Sequence, residues 1–337
     1  MSEFWDYNFA YSFFRPWVDF CTRHSYRRIE FKGSLPDKGA VIFAPNHTNT
    51  LMDPLLVLQA RKGGTLFGAR ADIFRKPFIA RILHFLKIVP LARHSRDLPE
   101  EVARNKGTFD QIDRALSHGL PFCIFCEGTH RTMHSLLPVR RGIARIAFTS
   151  AEHRHTTIIP IGIDYSDWFH YRSCVKIQVG APLDVNAFAK ARTDLGIDEL
   201  DAALQQELYS RLSELIFFLP DDENYSAGLA RYQAAHPRGH RVRRVFQAIL
   251  GFPLFLVCAL LSLPMWALAE YLCSRIKDKA FCNTARFGVK LLGTPLFLVI
   301  WAILFFSLLP WWAALLLLLL FLPSYSVFYD WLNLVRR

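Results

Sequence analysis

The sequence has no charged side chain anywhere in its longest apolar run, which covers the 39 residues 291–329. As one straight helix this run would reach about 58 Å at ~1.5 Å per residue, nearly twice the ~30 Å hydrocarbon core of a bilayer. The run therefore predicts a membrane hairpin that turns at Pro310, with Trp311 and Trp312 at the level of the lipid headgroups. Lys290 and the terminal arginines then lie on the same, cytoplasmic side as the polar part of the chain.

Several other features are also missing. The first 15 residues have neither a basic start nor a small-residue cleavage site, so no secretory signal is expected. The seven cysteines are an odd number, and a reduced, cytosol-facing compartment is expected. Cys123 and Cys126 have the spacing of a redox motif, but on a strand they would face opposite sides, which argues against a disulfide or a metal site. Without a Gly-x-Ser-x-Gly elbow a serine esterase is disfavoured, and neither a metal nor another cofactor is predicted.

The chain has little acidic charge where it is most apolar. Its 337 residues are 52% apolar with a net charge of +11, and residues 241–337 contain ten Arg or Lys against Glu270, Asp278 and Asp330. Because most of the basic excess flanks apolar segments, anionic lipid headgroups are a better partner than nucleic acid.

Composition divides the chain into four parts. Residues 1–26 are rich in aromatic rings and end in arginines, which is typical of an interfacial helix, although a helix packed on the protein's own core is equally compatible. Residues 27–220 have the pattern of a globular domain, residues 221–242 are a polar linker, and residues 243–337 form a membrane region. In this last part residues 245–269 are uncharged but contain Pro253 and Pro264, so they could span once or form a re-entrant pair of half-helices, which is the reading favoured here.

Residues 27–220 alternate short apolar runs with amphipathic segments, which predicts an α/β domain with a central mixed sheet flanked by helices. The apolar run 40–44 is followed by Asn46, His47 and, six residues later, Asp53. A carboxylate on one ring nitrogen would fix the histidine tautomer and support the imidazolium, which makes the other nitrogen a general base. Because neither five nor six residues along a regular helix brings two side chains onto one face, the loop after Asn46 must be irregular.

Further polar clusters follow other apolar runs. Arg93 ends the run 88–92, and an arginine fork can grip phosphate in two places. The run 121–126 leads directly into a carboxylate, a glycine and a cation, within the segment Glu127, Gly128, Thr129, His130 and Arg131. Because the carboxyl ends of strands collect reactive groups, these clusters are candidates for one site.

Taken together, the clusters resemble the motifs of the glycerolipid acyltransferase family, typified by 1-acylglycerol-3-phosphate acyltransferase. The four matching segments, in order, are Asn46-His47 with Asp53, Val89-Pro90-Leu91-Ala92-Arg93, Phe125-Cys126-Glu127-Gly128-Thr129-His130, and Ile159-Pro160-Ile161. The resemblance implies that His47 and Asp53 are the catalytic pair. It also implies that Asn46, Arg93 and the segment 127–131 bind or orient substrate, with donors near this segment stabilising the oxyanion.

The sequence departs from the family pattern in three places. Five residues rather than four separate His47 from Asp53, Cys126 replaces a proline, and His130 stands where the family has arginine. The first and third departures look like a branch that includes glycerol-3-phosphate acyltransferases. These departures leave the identity of the acceptor open, but they do not change the assignment of the catalytic pair.

The resemblance implies a membrane-bound O-acyltransferase with its catalytic domain on the cytoplasmic side, acting in phospholipid synthesis. The acyl donor would be a thioester of coenzyme A or acyl-carrier protein, and the acceptor a glycerol-phosphate-type hydroxyl compound, with lysophosphatidate favoured. Glycerol 3-phosphate and an amino-acid lysolipid are alternative acceptors. A catalytically inactive membrane scaffold with the same fold is the alternative from another class, although it would have no chemical use for His47, Asp53 and Glu127 together.

Overall fold

The computed structural model describes residues 3–36, 39–93, 97–235 and 241–336. Within these residues an α/β domain precedes three long apolar helices. The strands are β1 Arg28–Lys32, β2 Ala40–Pro45, β3 Leu66–Arg70, β4 Ile88–Leu91, β5 Phe122–Cys123, β6 Thr156–Tyr165, β7 Cys174–Val179 and β8 Leu183–Asp184. The helices are α1 Phe9–Arg23, α2 Met52–Gln59, α3 Pro77–Phe85, α4 Pro99–Ala103, α5 Asn105–Ser117, α6 Arg141–His153, α7 Val185–Lys190, α8 Ile197–Leu215, α9 Tyr225–Ala235, α10 Arg241–Arg275, α11 Cys282–Leu308 and α12 Trp311–Arg336.

The strands form one mixed sheet in the order β1-β7-β6-β2-β5-β3-β4, with β8 also paired to β6. β6 is antiparallel to β7 and β8, and the other pairs are parallel. The mixed α/β sheet expected from the sequence is thus confirmed. β7 lies inside the sheet, because it pairs with β1 on one side and β6 on the other.

Helices cover both faces of the sheet. Cys126 belongs to the apolar cluster that α5, α6 and α8 build on one face, and Cys123 to the cluster that α1 and α2 build on the other. The two cysteines therefore face opposite sides, as predicted, and both are buried free thiols. β2 is buried along its whole length between β6 and β5, so its carboxyl end opens at the centre of the sheet.

The polar segment 221–242 is more ordered than the predicted linker. Residues 225–235 form α9, whose Tyr232 stacks on Phe217 with ring centroids 3.9 Å apart, and the Tyr225 hydroxyl accepts the His134 backbone N–H at 3.0 Å. The middle of this segment, residues 236–240, lies outside the described residues.

Three helices of the membrane region are long and apolar enough to cross a bilayer. α11 and α12 are antiparallel neighbours joined at Leu309 and Pro310, as expected for a hairpin. α10 is helical throughout, with Pro253 and Pro264 inside it, so the expected break between two half-helices is absent; the return of both its ends to one side of the membrane stays a prediction.

α10 also packs closely against α12. Ala248 O accepts from Trp331 Nε1 at 3.1 Å. Phe255 and Trp266 both contact the Phe328 ring. Glu270 accepts from the Tyr329 hydroxyl of α12. Ala248 and Glu270 would be about 33 Å apart in a straight helix, yet both reach one turn of α12, so α10 bends, as helices do at internal prolines.

The α/β domain is docked firmly on these helices. Arg172 pairs with Asp330 at 2.6 Å and also donates to the carbonyl of His24 at the end of α1, at 3.1 Å. The same carbonyl accepts from Lys290 Nζ at 3.1 Å, a lysine of α11 that is only 2% exposed. One polar junction therefore holds α1, α11 and α12 together.

Candidate active site

The central feature of the site is the contact between His47 and Asp53. β2 ends at Pro45 and α2 begins at Met52, so Asp53 stands in the first turn of α2 and is fully buried. Oδ2 of Asp53 lies 2.8 Å from His47 Nδ1 and also accepts the backbone N–H groups of Thr48 and Asn49, at 2.8 and 2.7 Å. Since this oxygen can only accept, His47 must carry its proton on Nδ1, which leaves Nε2 as the basic nitrogen.

The loop between the two residues is irregular, as the sequence predicted. Thr50 has φ +42°, in the left-handed region that β-branched residues rarely adopt. This single residue turns the chain from the end of β2 into α2, and the turn lets the carboxylate reach back to His47.

Tyr165 completes the surroundings of Asp53, and sequence reasoning missed it. It ends β6, the strand paired with β2, and its hydroxyl donates to Asp53 Oδ1 at 2.6 Å. Burial raises the pKa of Tyr165 well above its usual value, so it remains a hydroxyl donor. The only sequence signal was a tyrosine close to the apolar run 157–163, and the sequence does not show that this run lies beside β2.

Glu127 ties the two main motifs together through the backbone. One oxygen accepts the N–H of His47 at 2.7 Å and the other accepts the N–H of Leu137 at 2.8 Å. Burial raises the pKa of Glu127 to about 7, and the two backbone donors only partly offset this effect. Both oxygens are therefore used to place the loop, rather than facing a substrate as the sequence suggested.

Asn46 is likewise engaged with the fold. Its side-chain amide donates to Ile163 O at 3.0 Å and accepts from Ile163 N at 2.7 Å, and the residue is 1% exposed. It therefore anchors the end of β2 to β6, and the structure does not place it where a substrate could contact it.

The turn after β5 brings His130 to the site. Gly128 has φ +68°, and a Cβ there would come 3.3 Å from Cγ of Arg140, so the turn favours glycine. Thr129 is half-buried in the same turn, and the His130 ring stands with its centroid 5.7 Å from that of His47. The Arg131 backbone N–H donates to His47 O at 3.0 Å, which fixes the register of the turn.

Two arginines named from the sequence have different surroundings. Arg131 directs its guanidinium to Asp221 and Ser135, at 2.5 and 2.6 Å, and so is used within the fold. Arg93, just beyond β4, reaches Gly128 O with Nη1 at 3.4 Å and lies 3.7 Å from Asp97, with a quarter of its side chain exposed. Of the two arginines, Arg93 therefore lies beside the 127–130 turn with part of its side chain exposed to solvent.

The membrane region also contributes to the site, which sequence reasoning missed. Asp278 Oδ2 is 2.9 Å from His130 Nε2, and the Phe281 ring meets the His130 ring edge to face. Thr284 at the start of α11 contacts Thr50, with 2.9 Å between the two hydroxyl oxygens. The only sequence signal was one acidic residue among the basic residues 275–279.

Comparisons with known proteins show what part of the chain is similar to. Residues 27–164 match the family model described as Acyltransferase. Among solved structures, the 1-acyl-sn-glycerophosphate (LPA) acyltransferase PlsC from Thermotoga maritima is similar, with a TM-score of 0.42 and 18% identity over 59% of this chain and 78% of that one. No curated protein sequence matches the chain. Every candidate residue named from the sequence lies inside the segment that matches the Acyltransferase model.

Proposed function

We propose that the protein is a membrane-bound O-acyltransferase that moves a fatty acyl group from a thioester to the hydroxyl of a glycerol-phosphate-type acceptor, lysophosphatidate being the favoured one. The observation that carries this proposal is the pairing of His47 Nδ1 with the buried carboxylate of Asp53 at 2.8 Å. That pairing leaves Nε2 as a base in a half-buried ring that rests on Phe125, with ring centroids 4.3 Å apart.

In the proposed reaction His47 Nε2 removes the proton from the acceptor hydroxyl while its oxygen attacks the thioester carbonyl. The C–O bond forms, the carbonyl oxygen becomes negatively charged, and donors of the 127–130 turn would stabilise it. When the intermediate collapses, the C–S bond breaks and the thiolate leaves, taking the proton held by His47. Asp53 remains ionised throughout and stabilises the imidazolium, so no side chain of the protein is acylated.

The acceptor phosphate is proposed to bind between Arg93 and the turn that carries Gly128, Thr129 and His130. Nη1 of Arg93 already touches Gly128 O, and the guanidinium fork has further donors for phosphate oxygens. This position puts an anionic headgroup beside His47, so the neighbouring hydroxyl of a glycerol backbone would come within reach of the base.

Membrane attachment is proposed to use both the C-terminal helices and the first helix. Trp17 of α1 donates its indole N–H to Leu291 O of α11 at 3.0 Å, which places α1 at the base of the membrane helices. From this position α1 exposes Phe9 and Phe13, and the neighbouring α3 exposes Phe78, all three by more than 60%. Exposed aromatic rings next to apolar helices suit the membrane interface, with the catalytic domain on the cytoplasmic side.

The experiment is a product analysis with the purified full-length protein in lipid nanodiscs. Labelled acyl-CoA and acyl-carrier protein are each offered with lysophosphatidate, glycerol 3-phosphate and an amino-acid lysolipid, and the product lipid is identified. H47A is the matched inactive control. Transfer to lysophosphatidate that H47A lacks supports the proposal, whereas a folded protein that acylates none of the acceptors would favour the scaffold.

A further inference from the structure

The corner between α10 and α11, residues 276–281, belongs to the membrane region but lies against the candidate active site. It reaches the 127–130 turn through the contact of Asp278 with His130 and the packing of Phe281 on the same ring. Just beyond it, α11 reaches the loop between the catalytic pair through the contact of Thr284 with Thr50. Two separate contacts thus join this part of the membrane region to the two segments that carry the histidine rings.

The corner is held in place on the α/β domain. Asn283 donates to Trp168 O at 2.6 Å, and Arg286 donates to Phe169 O at 2.9 Å. Oδ1 of Asp278 accepts the N–H of Ala280 at 3.0 Å and so starts the short 3₁₀ helix Lys279–Phe281. The carboxylate is therefore fixed by the backbone through one oxygen and bound to His130 through the other.

The other charged groups near His130 are directed elsewhere. Glu127 is held by two backbone amides, Arg131 turns to Asp221, and Lys279 Nζ donates to the carbonyl of Cys273 at 3.1 Å. The second histidine ring, that of His47, has its own carboxylate. The hydrogen bond to His130 holds the pKa of Asp278 below its usual value, so Asp278 is ionised at neutral pH.

We propose that Asp278 is a positioning residue of the active site: its carboxylate orients the His130 imidazole beside the place where the anionic headgroup of the acceptor binds. The substrate site is then incomplete without the corner of the membrane region. This inference rests on the proposed function for the identity of the acceptor, but the contact itself does not.

A histidine depends on a neighbouring carboxylate in a way that a permanently charged side chain does not. An imidazole is charged only in part near neutral pH, and a carboxylate in contact with it favours the protonated ring. An arginine at this position would be charged without Asp278. The carboxylate should therefore matter for acceptor binding when residue 130 is histidine and lose its importance in H130R.

The test measures the binding of lysophosphatidate to the full-length protein in nanodiscs, in an H47A background so that turnover cannot interfere. D278N should raise the Kd about fivefold, the order expected for a half-exposed charge pair. D278E should recover much of the affinity, and D278N should have little effect in an H130R background. In otherwise wild-type protein the acceptor KM should rise more than kcat falls.

D184N is the matched control. Asp184 also starts a helix, accepting Ala187 N at 3.0 Å, and also binds a histidine, His155, at 3.0 Å. It lies at the opposite end of β6, so D184N should leave the Kd unchanged. An unchanged Kd in D278N, an equal rise in D184N, or a loss confined to kcat would overturn the inference. A fivefold effect on Kd in a protein that acylates no acceptor would refute the proposed function and leave the positioning role standing.

Discussion

The substitution Asp53→Asn separates two ways in which this carboxyl could act on His47. In one, the amide holds the imidazole in the wrong tautomer. In the other, the tautomer is kept and only the negative charge is lost. The four donors around Asp53 decide between the two.

If the amide oxygen of the D53N variant takes the place of Oδ2, it keeps the N–H donors of His47, Thr48 and Asn49. The new NH₂ group would then face Tyr165, whose hydroxyl can turn and accept. The reversed amide would set NH₂ against two backbone N–H groups, and each buried donor left unpaired costs roughly 1–3 kcal/mol. The orientation with the amide oxygen in the place of Oδ2 is therefore the more stable one, and His47 keeps its proton on Nδ1.

What D53N removes is the charge opposite the imidazolium. A hydrogen bond to a charged group contributes about 1.5–3 kcal/mol and a neutral one about 0.5–1.5, so the loss is about 1–2 kcal/mol. At about 1.4 kcal/mol per factor of ten, kcat should fall roughly 5- to 30-fold while the donor KM and the fold are preserved. Initial rates with labelled donor, together with circular dichroism, measure these quantities.

Two results would refute the reasoning. A fall of about 10⁴, the size known for an amide that imposes the wrong tautomer, would mean that the amide is reversed. An unchanged kcat would mean that Asp53 does not support the imidazolium. H47A is the reference, because removal of the base should abolish nearly all turnover, and near wild-type transfer by H47A would end the general-base assignment.

Four further predictions concern other parts of the structure. Arg93→Lys should raise the acceptor KM and spare the donor KM, since lysine keeps the charge but loses the fork; an unaltered acceptor KM would make Arg93 a surface charge. Deletion of Thr50 should impair kcat, because it removes both the left-handed turn and the contact with Thr284; full activity would show that the longer gap is neutral. In a cysteine-free background an externally added thiol reagent should label a cysteine at Pro310 and miss one in the last turn of α12, and the reverse pattern would contradict the hairpin. Because the pKa of Glu127 is about 7 in the fold against an ordinary 4.5, wild type should lose stability relative to E127Q as pH rises from 4.5 to 7, by at most about 3 kcal/mol, and a parallel pair of Tm curves would contradict this.

Local pattern was sufficient to predict much of the fold. The apolar runs before His47, Arg93 and Glu127 are all strands, and their parallel pairing around β2 brings the polar clusters to one edge. The irregular loop before Asp53 followed from helix geometry alone. Such predictions succeed because each depends on residues within one turn or one strand.

The sequence was less informative where a contact joins distant segments. Tyr165 is 112 positions from Asp53, and Asp278 is 148 positions from His130. The backbone hydrogen bonds of Asn46 and Glu127 were also not predicted, because residue type shows that a polar group is present but not which backbone atoms it meets. In α10 the prolines suggested a break, but the helix continues through both of them.

The path of α10 has a consequence for the number of membrane crossings. α9, which packs on the catalytic domain, ends six steps of chain before α10 begins, and at ~3.6 Å per step these reach at most about 22 Å, less than the ~30 Å core. The far end of α10 returns to the same domain at Asp278. A helix with both ends on one side makes no net crossing, so α11 and α12 are expected to be the two membrane crossings. α10 then enters the bilayer beside them, where Leu261 O accepts from Trp301 Nε1 at 3.1 Å. A reporter domain fused after residue 336 would then share its compartment with the active site.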